Sequence, residues 1–177
     1  MRSSPRAETA SLAGMATIAV ISDTHGLLRP EVLARLPGCG RIIHAGDLDN
    51  RETLQRVISL GDVTVVRGNC DHGPWAKALP DFELVRMEGQ TICVVHALES
   101  LTLDLRAAGV SAVVFGHTHV PHNESRDGIL YFNPGSAGPA RYGKPIAFGR
   151  LHVDEGSVRG EIITLPSAAR PPWPPGQ

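Results

Sequence analysis

The chain has 177 residues, 42% of them hydrophobic and 20% charged, which suits one compact domain with a sizeable apolar core and is too short for two independent ones. Lys and Arg number 17 against 18 Asp and Glu, a formal charge of -1, so there is no basic footprint for a nucleic-acid backbone or an anionic membrane. Cys39, Cys70 and Cys93 lack C-x-x-C spacing, which argues against a disulfide framework or a thiolate zinc site and fits a reducing, cytoplasmic compartment.

Residues 1–14 carry two arginines but no extended apolar run before a cleavage site, and read as a flexible extension rather than a signal peptide. Residues 15–166 form the domain. Residues 167–177 read as a Pro-rich disordered tail, with four prolines in the last eight positions. No apolar run approaches the roughly 20 residues that a membrane-spanning helix needs.

Within the domain, short Val- and Ile-rich runs alternate with stretches of helical period, the pattern of an α/β fold with a partly parallel sheet. Residues 17–22 read as the first strand, followed by a helix with Pro30 in its first turn and Gly38 past its end. Strand 41–45 precedes a helix capped by Asn50, with Leu54, Val57 and Ile58 on one face and Gly61 at its end; strand 63–66 follows. After an irregular segment comes strand 91–95, then a helix marked by Leu101, Leu105 and Ala108 and closed by Gly109, then strand 112–115. Runs 129–132, 146–153 and 158–165 are joined by short turns, so an antiparallel arrangement is expected there. Two β-sheets packed face to face and flanked by helices accommodate all of these elements.

Polar residues follow the apolar strands in turn: Asp23 and His25, Gly46 and Asp47, then Gly68, Asn69, Cys70 and Asp71, then His96, then Gly116, His117, Thr118 and His119. Parallel strands deliver their carboxyl ends to one sheet edge, so these five loops are expected to converge. They bring two carboxylates, four imidazoles and one carboxamide, an O/N donor set suited to Mn, Fe, Co, Ni or Zn and too large for one tetrahedral ion. Two divalent ions about 3.5 to 4 Å apart would clamp a phosphoryl group during in-line displacement. Glycines beside such ions let the backbone pass close by.

The motifs D-x-H at 23–25, GD at 46–47, GNCD at 68–71, His96, GHTH at 116–119 and NPGS at 133–136 resemble those of the calcineurin-like metallophosphoesterases. GNCD in place of the commoner GNH-D/E is similar to the small YfcE-type phosphodiesterases. The resemblance covers about residues 16–155 and implies a four-layer αββα sandwich. It also implies that Asp23, His25, Asp47 and His119 hold one metal while Asp47, Asn69, His96 and His117 hold the other, with Asp47 as the bridge. Manganese is the first choice of metal, and homo-dimers or tetramers are common among relatives.

The expected reaction is hydrolysis of a small phosphate ester, a diester first and a monoester second, by a metal-bridging hydroxide, with Asp47, Asn69 and His96 at its centre. Relatives are held to protonate the leaving oxygen from the His of GNH-D/E. Here that position is Cys70, whose ordinary thiol pKa near 8.5 makes it a mediocre acid, so the adjacent His72 is the alternative donor. Asp71 either orients a catalytic group or bonds the backbone of its own turn.

His44, His122 and His152 read as structural or surface residues, with His44 a candidate for contact behind the ligands. Asn133, Pro134 and Gly135 read as a turn shaping the pocket floor, and Arg141 is placed to reach substrate. Gly143 and Lys144 lack P-loop spacing. The rival reading is a scaffold resembling the retromer-type subunit, which ligand loss would favour; all seven expected ligands are present. The absence of an H-x-H-x-D-H run argues against a metallo-β-lactamase-type hydrolase.

Overall fold

A computed structural model describes residues 14–141 and 143–166. The proposed extension, apart from Gly14, and the proposed tail lie outside the described residues.

Strand β1 (Ala16–Ile21) pairs in parallel with β2 (Arg41–His44), and β2 in parallel with β3 (Val63–Val65). Between them, α1 (Pro30–Leu33) is a single turn begun by Pro30, and α2 (Arg51–Ile58) is capped by Asn50, whose Oδ1 accepts the Thr53 N–H at 2.8 Å. Leu54 and Val57 bury the inner face of α2, while Ile58 stays exposed.

The segment read as irregular contains α3 (Pro74–Lys77) and strand β4 (Phe82–Met87). β4 joins β5 (Gln90–Val95) as an antiparallel hairpin through Glu88 and Gly89, both at positive φ. It is an edge strand with an exposed Phe82, so its alternation is imperfect.

The helix expected around Leu101 to Ala108 is absent. A short 3₁₀ turn at Leu98–Ser100 leads into consecutive turns, and Asp104 Oδ1 accepts the N–H groups of Arg106 and Ala107 at 3.1 and 3.0 Å. Asp104 thus caps a single turn closed by Ala108 N–H to Asp104 O, and Gly109 at positive φ ends it. The apolar period still has a use: Leu101, Leu105 and Ala108 pack on the outer face of the second sheet against Cys93, Val95 and Val113.

Beyond β6 (Ala112–Val114) lies a strand the sequence does not announce, β7 (His122–Arg126), followed by β8 (Ile129–Asn133), β9 (Ile146–Asp154) and β10 (Ser157–Leu165). The expectation of an antiparallel last third holds for β9 with β10 and β1, and for β7 with β8. It fails for β8, which runs parallel to β6 because β7 is displaced outward to the edge and β8 inserts between them.

The two five-stranded sheets have orders β10-β9-β1-β2-β3 and β4-β5-β6-β8-β7. Their facing residues, among them Ile18, Val20, Ile43, Val94, Val114, Phe132 and Leu151, form the inter-sheet core. The helices cover the outer face of the first sheet. The chain is therefore a mixed α/β sandwich. Among the described residues no helix is long and apolar enough to cross a membrane.

Candidate metal centre

The loops after β1, β2, β3, β5 and β6 do meet at one edge. Five of the seven expected ligands, Asp23, His25, Asp47, His117 and His119, adopt φ between 45° and 67°. That left-handed region costs an L-residue roughly 1–2 kcal/mol and persists only where surrounding bonds enforce it. The enforcement is visible: Asp23 N–H donates to Gly46 O and His25 N–H to Asp47 O, both at 3.0 Å. The loops pack so closely that a Cβ on Gly68 would lie 2.1 Å from Asp47 Oδ1, and one on Gly116 would lie 2.1 Å from Ser22 Oγ and 2.7 Å from Asp23 Oδ2.

Asp23, His25 and His119 form a buried group. The Nε2 atoms of His25 and His119 face each other at 3.2 Å, and His119 Nε2 stands 3.2 Å from Asp23 Oδ1. His25 Nε2 is 3.8 Å from Asp47 Oδ2. Asp23 is fully buried, yet neither of its carboxylate oxygens has a hydrogen-bond partner among the described residues. A carboxyl in the interior with an imidazole near it but no hydrogen bond is costly to bury.

Asp47, Asn69, His96 and His117 form the neighbouring group. His96 donates from Nδ1 to Ala45 O at 2.7 Å, which turns Nε2 towards Asp47 Oδ1 at 3.4 Å and Asn69 Oδ1 at 3.0 Å. Asn69 Oδ1 also lies 2.8 Å from His117 Nδ1, so His117 joins the group through Asn69. Burial works against ionisation of both Asp47 and His96. Their mutual hydrogen bond and charge outweigh it, holding the Asp47 carboxyl below its usual range and pushing His96 up.

Asp71 is not confined to its own turn. Its Oδ1 accepts the N–H groups of Leu48 and Asp49 at 2.7 and 2.9 Å, and its Oδ2 those of Asp47 and Gly68 at 3.1 and 2.8 Å. It clamps the loop that carries Asp47. His44 is completely buried behind this loop, where burial lowers its pKa to about 4. Its Nδ1 accepts the Gly46 N–H, so Nε2–H donates to Thr24 Oγ1 at 3.0 Å. Asn133 braces the GHTH loop, donating from Nδ2 to Gly116 O at 2.7 Å and to Thr118 Oγ1 at 3.1 Å.

The proton-donor candidates differ. Cys70 lies beside Asn69 and forms a grouping with His25 and Asp47, but burial and the Asp47 charge push its thiol up to about 11. His72 is exposed on the wall of a cleft that it shares with Asn69, Asp71 and Lys77. Arg141 is exposed and makes no side-chain hydrogen bond to the site among the described residues; Lys144 Nζ instead reaches Thr118 O.

Two residues escape the sequence reading. Asp49 Oδ1 meets His25 Nδ1 at 2.9 Å, and Glu99 stands 3.5 Å from His117 Nε2. The only signal for Asp49 is a second acid two positions after Asp47.

The arrangement fits divalent metal. Asp23, His25 and His119, and Asp23, Asp47 and His96, each bring ligand atoms within 4.8 Å of one another. A cation among them would engage the Asp23 oxygens, stand between the facing Nε2 atoms of His25 and His119, and replace the proton that otherwise joins His96 to Asp47. The donors are carboxylate, imidazole and carboxamide, as borderline divalent ions prefer.

Comparison with known proteins agrees. The family model of the calcineurin-like phosphoesterase superfamily domain matches residues 16–156. A probable metallophosphoesterase of Methanocaldococcus jannaschii is 33% identical over 138 residues, 71% of this chain and 70% of that protein. The Escherichia coli phosphodiesterase YfcE is 34% identical over 109 residues, 54% of this chain and 55% of its own. Its solved structure superposes with a TM-score of 0.59 at 25% identity, covering 76% of this chain and 87% of that one. In fold alone, the zinc complex of Entamoeba histolytica Vps29 is similar, with a TM-score of 0.66 at 22% identity over 84% of this chain and 98% of that one. The chain belongs to the calcineurin-like phosphoesterase superfamily.

Proposed function

We propose that this protein is a cytoplasmic phosphodiesterase that binds two divalent ions, manganese foremost, with Asp23, His25, Asp47 and His119 around one and Asp47, Asn69, His96 and His117 around the other. The observation that carries it is the fully buried Asp23 carboxylate without a hydrogen-bond partner, beside two imidazole Nε2 atoms 3.2 Å apart. Bound there, the ions supply Lewis acidity to the phosphoryl oxygens and a lowered pKa for the attacking water. The chain does the placing. Asp47 sits between the two groups, fixed through Asp71. Asn69 contributes a neutral oxygen, which keeps the net charge of the loaded site positive towards a phosphate anion.

Protonation of the leaving oxygen is the weak point. A thiol at about 11 donates poorly, so Cys70 fits esters whose leaving groups need little help, and His72 is the candidate donor for the others. The YfcE likeness favours diesters over monoesters. The three cysteines are free, in keeping with a reducing compartment.

The test is to strip the protein with chelator, restore Mn, Ni, Co, Zn or Mg singly, and assay aryl phosphodiester and monoester hydrolysis with Asp47→Asn as control. Metal-dependent diester turnover that the substitution abolishes supports the proposal. The fold likeness to Vps29 supports a second reading as a metal-binding scaffold with little catalytic activity. Tight metal binding without turnover on either ester would establish that reading instead.

A further inference from the structure

We propose that Asp49 is a positioning residue that fixes the tautomer and direction of His25, so that Nε2 of this imidazole faces the ion held in the buried group. The inference rests on the reading of that group as metal ligands. His25 Nδ1 lies 2.9 Å from Asp49 Oδ1, and the His25 side chain is only 3% exposed. An ionised carboxylate accepts and cannot donate, so the shared proton sits on Nδ1 and Nε2 keeps its lone pair. Nε2 is the atom that meets His119 and approaches Asp47.

Both partners hang from the same short segment. His25 N–H donates to Asp47 O and Gly26 N–H to Leu48 O, each at 3.0 Å, while Asp71 Oδ1 accepts the Asp49 N–H at 2.9 Å. Asp49 itself has φ of 72°, a conformation that needs such enforcement in a residue with a side chain. Asp71 thus sets Asp47 as a ligand and Asp49 as the brace of a second ligand in one clamp. His96 makes a useful contrast: a backbone carbonyl, Ala45 O, holds its outer nitrogen, whereas for His25 a side chain does that work. Asp49 is no ligand in this arrangement, because it engages the ring nitrogen pointing away from the metal group. Nor does a one-third-exposed carboxylate suggest a stability role, since such pairs contribute little.

A residue of this kind tunes metal affinity by about 10–100-fold. Two readouts test it: long-range ¹H–¹⁵N NMR of the histidine tautomers in metal-free protein, and chelator competition for Mn and Zn binding. His25 is expected as the Nδ1–H tautomer in the wild type. Asp49→Ala is expected to lose that signature and weaken one ion's binding by about 10–100-fold with little change in melting temperature. Asp49→Asn, whose amide oxygen still accepts from Nδ1–H, is expected to restore affinity to within a few-fold.

Wild-type affinity and an unchanged tautomer in Asp49→Ala overturn the inference, as does an Asp49→Asn variant no better than Asp49→Ala. If Asp49→Ala does not fold, the wild-type spectrum decides, because an Nε2–H tautomer contradicts the assignment. Wild-type protein that binds no ion overturns this inference together with the proposed function. Ion binding with the predicted Asp49 effects but no ester hydrolysis leaves the inference standing and removes only the proposed activity.

Discussion

The two halves of the site differ in depth. Around Asp23, His25 and His119 the side chains are between 0% and 11% exposed, and Asp49 holds the outer nitrogen of His25. Across Asp47, the other half opens outward at Asn69, which is exposed, and at His117, whose side chain is 40% exposed and meets Asn69, Glu99 and the edge of the His96 ring. In the inner half Asp23 is buried, with the His119 imidazole 3.2 Å away but no hydrogen bond to either oxygen, so a cation there would offset a burial cost. The outer half faces the clefts lined by Arg67, Asn69, His72 and His96. On the proposed function, the inner half would hold its metal as part of the fold and the outer half would meet substrate.

The sharpest way to break this division is at the shared residue. Asp47→Asn removes the carboxylate common to both halves and is expected to lower turnover on the order of 10³-fold. A loss confined to substrate affinity would contradict a bridging role. Steady-state kinetics at saturating metal separates the two.

Acid should attack the inner half through His44. Its folded-state pKa lies below the ordinary 6.5, at about 4, so the unfolded chain binds a proton in this window that the folded chain does not. Stability is present above pH 6.5 and is lost as pH falls towards 4, by up to about 3 kcal/mol. Denaturant melts across that window should show the loss, and His44→Gln, which cannot charge, should flatten it.

Metal should act on the same half. Manganese at a hundredfold excess over its dissociation constant is expected to stabilise the protein by about 2.7 kcal/mol. For a domain of this size that raises the melting temperature by roughly 5–10 °C. Asp23→Asn, which removes the buried charge, should melt no lower than the wild type when both are metal-free and should lose most of the metal response. A metal response retained in Asp23→Asn would show that the inner half is not the stabilising one.

The smallest effect is expected in the outer half. His72→Ala should slow alkyl esters by about 10-fold or more relative to aryl esters. Equal losses on both would argue against His72 as proton donor.

Much of this is legible in the sequence, for a physical reason. Buried strands must be apolar, so Asp23, Asp47, His96 and His117 stand out sharply where the Val and Ile runs stop. The convergence of those ends then follows from parallel pairing. What stayed hidden has causes as specific. The β7 sequence His-Asn-Glu-Ser-Arg has no apolar alternation because an edge strand need not bury a face. Leu101, Leu105 and Ala108 show a helical period without a helix, because the cap at Asp104 and the stop at Gly109 leave room for one turn between them and any spacing that covers the sheet will serve. Asp49 and Glu99 act on the far nitrogens of histidines distant in sequence, a relation that leaves almost no local pattern. Asp71 was visible as a polar residue after β3, but its four backbone donors come mostly from another loop.

The central claim, two divalent ions joined by Asp47, is tested most directly by anomalous diffraction from crystals of the manganese-loaded protein. The account predicts two peaks, one beside Asp23, His25 and His119 and the other beside Asn69, His96 and His117, with Asp47 in contact with both. A single peak, or two peaks with Asp47 on only one of them, would contradict it.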